Sequence, residues 1–412
     1  MSTTLFNSNI VTPTEIVNPG VMVISDNGKI DYLGRIEKMP PVSGPRLDMR
    51  GLTLAPGFID VHVHGGNGIT FGGTNSPFEE LRSYSKWVVS SGVTGYLCSL
   101  AAPDAKSLVE LVGKYAETMS MGIQGAEPLG IHLEGPYINK EKKGAFNPDW
   151  LRLPSVEETD AILFAGNGWI RQVTLAPELP HSDQIASRFR HAGVVVALGH
   201  TNSDYALASA ALMGSYTHVT HAFNAQSNFH HRDPGAVGAI LASDFVTVEL
   251  IADTVHAHPA AMKILWRCLG SDRIVLITDA MAGAGLDDGE YDLLGQTVIV
   301  KNGHATLTDG TIAGSTVKLN QCVRNLHRYV GVSKQDAIKM ASMNPAQAMG
   351  FSGRLGSLVE GKDANLIAID DEINIHMTIV RGKLVYSNIF GAPSSLVEKF
   401  APPTAEKFND SG

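Results

Sequence analysis

His62 and His64 stand two residues apart at the end of an apolar run, GFIDVHVHGGNG at 57–68. In an extended strand, side chains two apart share a face, so both imidazoles project to one side, with Asp60 beside them. A packed core strand gains nothing from two imidazoles there, whereas a metal site does. The same chemistry recurs downstream. Glu134 ends PLGIHLEG, His200 ends VVVALGH and His221 lies in THVTHAF. Asp253 ends VTVELIAD with His256 just beyond it, and Asp279 stands near the end of IVLITDA. Imidazole and carboxylate suit zinc and other divalent transition metals. Thiols take no part: Cys98, Cys268 and Cys322 are far apart with no CxxC, the sparse set expected in a reducing compartment.

The elements that must position these residues alternate. Strand candidates run over 54–64, 93–100, 128–135, 171–178, 194–200, 217–223, 246–253 and 274–280, with helical stretches between most of them. One helix start is well marked: Ser76 caps, Pro77 takes the first helical position and Glu79 the third, and Phe78, Leu81 and Val88 then recur at helical spacing. Eight such units make a parallel barrel or a doubly wound sheet. Only in the barrel do all the strand ends meet at one face, where active sites form. The expected fold is therefore α/β, a (β/α)8 TIM barrel over 53–352. The short β-like runs of 3–50, with a hairpin signal at DNG 26–28, resemble the run 364–387 in texture. They predict a small β-sandwich domain built from both chain ends, 1–52 and 353–388, and a loosely held tail over 389–412.

The other histidines read as support or surface. His132 shares the face of Glu134 and is expected to pack or to brace a ligand. Strand parity sets His218 opposite His221, a structural role. His230 and His231 fall in a loop, and His181, His191, His304 and His327 on the surface. Asp279 is a helix cap or a catalytic group, and its strand end among the histidines favours the second. The chain has 412 residues, 44% of them apolar and 18% charged, with a net charge of −9. That balance excludes wholesale disorder and a broad nucleic-acid surface. No apolar run approaches the roughly 20 residues that cross a bilayer, and MSTTLFNSNIVTPTE lacks a basic start and an apolar centre. A cytoplasmic protein with no nucleic-acid or membrane partner is expected.

Several stretches together resemble a known family: PGFIDVHVHGG, GIHLEGPYINKEKKGAFNP, LGHTNS, THVTHAFNAQSNFHHRDPGAVGAIL, ELIADTVHAHP, LITDAM and GTIAGST. The chain is similar in them to the N-acetylglucosamine-6-phosphate deacetylases of the amidohydrolase superfamily. GSLVEGKDANLIAID resembles the superfamily's strand returning to the small domain. The resemblance implies removal of acetyl from a phosphorylated amino sugar by metal-activated water. It implies Glu134, His200 and His221 as metal ligands, His62 and His64 as the pair that binds a second metal in some members, and Asp279 as acid/base at the metal. One or two divalent ions per subunit follow, zinc foremost, with iron or manganese as alternatives. His256 is implied as a catalytic or substrate-contacting residue. Asn224, Ala225 and Arg232 are implied to hold substrate, with Ala145, Phe146, Asp253, Ile312, Ala313 and Gly314 completing the set. The family's arginine reaches in from the neighbouring subunit, which implies a homodimer.

Three positions depart from the family pattern. Phe146 stands where histidine is frequent, Thr254 where glycine is usual, and Gln226 where methionine is. Phe146 removes a polar contact and Thr254 is expected to add bulk near the sugar, so N-acetylgalactosamine 6-phosphate or another N-acyl compound stays open as substrate. A dihydroorotase-like cyclic amidase fits the HLEGP glutamate and the HRDPG arginine poorly. A metal-free barrel scaffold without catalysis is the remote alternative.

Overall fold

The computed structural model describes residues 2–389. Eight strands form one parallel sheet in chain order: Phe58–Val63, Val93–Leu100, Glu127–Glu134, Ile170–Leu175, Val195–Leu198, His218–Val219, Thr247–Ile251 and Ile274–Ile277. A helix follows each of them, from Pro77–Val88 after the first to Leu319–Asn325 after the eighth. The ends of the sheet are drawn together. The Asp279 N–H donates to the His62 carbonyl at 2.9 Å, and Thr278 donates to Asp60 from Oγ1 at 2.6 Å and from its N–H at 3.2 Å. All eight expected strands are present and the architecture is the (β/α)8 barrel. The first helix starts as its sequence requires, with the Ser76 side chain accepting from Glu79 N–H. Leu81 and Val88 are buried, but Phe78 is exposed in the first turn, lying under the Arg82 guanidinium.

The small β-sandwich takes strands from both chain ends. Thr3–Val11, Ile16–Ile24, Ile30–Gly34, Arg46–Asp48 and Thr53–Pro56 join Leu366–Ile369, Ile375–Val380 and Lys383–Ser387 in one eight-stranded sheet. It has a core of its own, including Leu5, Ile10, Met22, Leu54, Leu366 and Ile379. Thr53–Pro56 is the seam, parallel to the first strand and antiparallel to Leu366–Ile369. Arg354 ties the sandwich side to the barrel by a bidentate pair with Glu127 at 2.8 and 3.0 Å, and holds Asp363 at 2.9 Å.

Two features differ from the sequence expectation. The run 54–64 is not one strand: it breaks at Gly57, the first part entering the sandwich and the second the barrel. Buried residues run on both sides of the break, so periodicity alone does not reveal it. A three-stranded antiparallel meander was also not anticipated: Gly289–Leu293, Gln296–Lys301 and His304–Thr306, lying between the last barrel strand and the helix Leu319–Asn325. Its second turn, Asn302-Gly303, has both residues at positive φ, as a tight hairpin demands. The meander packs on the loop after the third barrel strand through Ile138, Phe146, Leu151, Leu293, Leu294 and Val298. Of the expected loose tail, all but Ile389 lies outside the described residues. Among the described residues no helix is long and apolar enough to cross a membrane.

A Cβ at Gly57 would lie 2.3 Å from the Thr94 side chain, and the Gly57 N–H is engaged by the Asn365 carbonyl. Gly57→Ala is therefore expected to destabilise the protein by about 1–3 kcal/mol through overpacking. The denaturant midpoint measures it; an unchanged midpoint would show that the seam yields freely.

Candidate metal centre and active site

The strand ends converge as a barrel requires. The Nε2 atoms of His200 and His221 lie 3.0 Å apart, and 3.0 and 3.1 Å from Glu134 Oε1. His64 Nε2 is 2.9 Å from Glu134 Oε2 and 3.4 Å from Asp279 Oδ1. His62 Nε2 is 3.4 Å from Glu134 Oε1 and 3.5 Å from Asp279 Oδ1. Two triads result, His62–His64–Asp279 and Glu134–His200–His221, each with donor atoms within 4.8 Å of one another and all six residues buried. Metal–donor bonds of about 2.0–2.1 Å give a tetrahedron with edges of about 3.3 Å, close to these separations.

The far side of two rings fixes what the near side presents. His200 Nδ1 lies 2.8 Å from the Lys142 carbonyl and His62 Nδ1 2.9 Å from Glu249 Oε2. A carbonyl or carboxylate oxygen only accepts, so Nδ1 carries the hydrogen and Nε2 offers a lone pair. His62 Nε2 is buried with no hydrogen-bond partner. Bare nitrogens and carboxylates facing one another in a buried cluster fit a divalent cation.

The three carboxylates around His62 crowd negative charge into the site, which a cation there would neutralise. Without one that charge falls on the imidazole: burial works to lower the pKa of His62, but Glu134, Asp279 and Glu249 outweigh it and raise it well above the usual value. Burial would raise Glu134 and Glu249, yet His62 and the other imidazoles hold both well below the carboxylate range. His132 is held neutral by burial. Its nitrogens lie 2.9 Å from Ser99 Oγ and 2.8 Å from Thr174 Oγ1, and its ring meets His62 edge-on at 4.5 Å, so it braces a candidate ligand as expected. Asp60 does not reach the centre: it closes the barrel through Thr278, and burial pushes its pKa up to about 7.

His218 departs from its parity reading. It bonds Glu249 at 3.2 Å inside the barrel, because the strand ends at Val219 and the alternation does not extend to His221, which has a positive φ. His200, Phe223, Ala225 and Asp279 also have positive φ. Left-handed backbone at non-glycine residues costs energy and gathers at functional sites. His181, His191 and His304 are exposed, while His327 is half-buried against the Val332 carbonyl.

Above the triads opens a cavity of about 340 Å³. Of the expected substrate set, Ala145, Phe146, Asn224, Ala225, His256, Ile312 and Gly314 line it. Ala313 is instead buried in the apolar cluster under the meander. Asp253 sits behind His256, with Oδ2 at 2.7 Å from His256 Nδ1 and Oδ1 accepting the N–H groups of Val255 and His256 at 2.8 Å. Arg232 is on an exposed loop, 3.0 Å from His231 Nε2, and does not line this cavity. Thr254, expected near the sugar, is exposed and faces another depression, so it adds no bulk to the cavity. Its φ of +71° explains why glycine suits the position. Gln226 is buried and pins the Asn224–Ala225 turn, accepting from Phe223 N–H at 3.1 Å and donating to the Thr220 carbonyl at 2.9 Å. The sequence reading missed Lys142, Leu293, Leu294 and Thr311 in the lining. The alternating run around Leu293 was the available signal for the meander.

The amidohydrolase family model matches residues 53–385. The chain belongs to the amidohydrolase family. It is 36% identical over 382 residues to an N-acetylglucosamine-6-phosphate deacetylase of Bacillus subtilis, covering 92% of this chain and 95% of that protein. It is 34% identical over 351 residues to an N-acetylgalactosamine-6-phosphate deacetylase of Escherichia coli O157:H7, covering 85% of this chain and 92% of that protein. The solved N-acetylglucosamine-6-phosphate deacetylase from Pasteurella multocida superposes with a TM-score of 0.87 at 30% identity, over 94% of this chain and 100% of that one.

In this amidohydrolase His256 is, among the described residues, the one wall histidine of the cavity outside the two triads. Burial works to lower its pKa, but the hydrogen bond and charge of Asp253 outweigh it and raise it. Asp253→Asn removes that charge, so the imidazolium should lose its proton at lower pH than in the parent. Ring-proton NMR titration of His256 measures it; an unchanged or higher pKa would contradict the assignment.

Proposed function

We propose that this amidohydrolase is a divalent-metal-dependent deacetylase that converts N-acetylglucosamine 6-phosphate to glucosamine 6-phosphate and acetate. The observation that carries this reading is the convergence of Glu134, His200 and His221 beneath a cavity with Asp279 at its floor. The names of the relatives supply the substrate class.

Glu134, His200 and His221 would hold one cation and His62, His64 and Asp279 a second, with zinc foremost and iron or manganese as alternatives. A divalent cation there supplies Lewis acidity, which acidifies water and polarises a carbonyl. Asp279 takes the proton of the attacking water and returns it to the departing sugar nitrogen. His256, kept protonated by Asp253, donates from Nε2 to a substrate oxygen, so rate is lost as pH rises through its raised pKa. Leu293, Leu294 and Ile312 form apolar wall around the reacting amide and limit water to the nucleophile. The substrate phosphate is met by Arg232 of a second copy in a homodimer, for which a planar fork is suited. The protein works in the cytoplasm.

Phe146 favours a second substrate reading. Its buried ring stands edge-on to His200 at 5.4 Å, where it offers the sugar no hydrogen bond. N-acetylgalactosamine 6-phosphate or another N-acyl compound is the alternative. The intact set of six ligand residues disfavours a non-catalytic scaffold.

Acetate release from the two sugar phosphates, with and without chelator, tests the reading. Chelator should abolish turnover and added metal restore it; chelator-resistant turnover would remove the metal from the reaction. Asp279→Asn should lower kcat by about 10²–10⁴-fold. Near-parental turnover with metal still bound by elemental analysis would remove Asp279 from the proton path.

A further inference from the structure

Beneath the triads lies a carboxylate that the proposed chemistry leaves unused. Glu249, on the seventh barrel strand, is wholly buried. Its Oε2 lies 2.9 Å from His62 Nδ1 and accepts the His221 backbone N–H at 3.1 Å. Its Oε1 accepts from Gln172 Nε2 at 2.7 Å and lies 3.2 Å from His218 Nε2. A buried carboxylate carries a heavy desolvation cost. Here donors from the first, fourth and sixth strand regions offset it.

The four candidate ligand histidines are not held alike. His64 and His221 have no hydrogen-bond partner at Nδ1, and His200 has a neutral backbone carbonyl. His62 alone has a full negative charge behind it. That charge keeps the hydrogen on Nδ1 and would strengthen Nε2 as an electron-pair donor toward a cation shared with His64 and Asp279. His132, edge-on at 4.5 Å, helps hold the ring plane. Glu249 touches the other triad only through the backbone of His221, so its influence falls on one of the two cation positions.

We propose that Glu249 is a positioning residue that decides whether the His62–His64–Asp279 position is filled, and so whether the centre holds one cation or two. This rests on reading the site as a divalent metal centre. Gln172 and His218 form the support that keeps Glu249 aimed.

The test loads the full chain with Mn²⁺ and counts bound metal by elemental analysis after gel filtration, with electron paramagnetic resonance to detect a coupled pair of ions. The parent should hold two equivalents with a coupled spectrum. Glu249→Ala should keep one equivalent with an uncoupled spectrum, its second-ion affinity lowered by about 10–100-fold. Glu249→Gln keeps an acceptor for His62 without the charge. It should weaken the second ion by less, and it carries the test if the alanine variant does not fold. Two ions bound with parental affinity in either folded variant would overturn the proposal and leave the metal reading intact. Equal loss of both ions in the variants would overturn it too, as the mark of a merely structural role. A parent that binds only one ion leaves no second position to control and overturns it. A parent that binds none also defeats the metal reading itself.

Discussion

Two oxygens of one buried glutamate hold this active site together. Glu134 faces His200 and His221 with Oε1 and His64 with Oε2, in a mouth from which bulk water is largely excluded. Burying a carboxylate is unfavourable unless positive charge or donors surround it. The imidazoles and the cation they fit satisfy that requirement, and they come from strands far apart in sequence. Barrel closure is therefore the condition for the site: if the Asp60–Thr278 and His62–Asp279 seams opened, the first and last strands would carry their ligands apart.

Beneath the centre the barrel interior is polar where such interiors are commonly filled by branched apolar side chains. Ser99, His132, Thr174 and Thr220 form one hydrogen-bonded chain, and Gln172, Glu249 and His218 another. Every link spans different strands. These chains turn rings and set which nitrogen faces the mouth, so barrel packing and site chemistry are one layer of structure. The strained backbone at His200, His221 and Asp279 follows from the same demand, because strand ends must bend sharply to aim three side chains at one point.

The walls have a different origin. The loop carrying Lys142 to Phe146 and the meander carrying Leu293 and Leu294 share an apolar core of their own. They shape the cavity, and the loop also reaches the centre, because the Lys142 carbonyl takes the hydrogen bond of His200 Nδ1. Phe146 belongs to this layer. Asp253 belongs to the inner one, since it acts on the cavity only through His256.

The sequence by itself determined the eight strands, the barrel and the gathering of six candidate ligand residues at the strand ends. Period-2 patterning at His62 and His64, and polar residues repeated at strand ends, are local signals with one global solution. Tertiary structure alone decided the rest. The break at Gly57 is invisible to alternation because both halves are buried strands. His218 and His221 share the inward side because the strand stops at Val219 and a positive φ redirects His221, and Thr254 turned outward because a positive φ redirects its side chain. Asp253 and Glu249 are both acidic residues of one strand region, of which the sequence pointed only to Asp253. One backs a wall histidine and the other backs a candidate ligand, because hydrogen-bond partners are set by which strands close upon each other, and sequence spacing does not encode that.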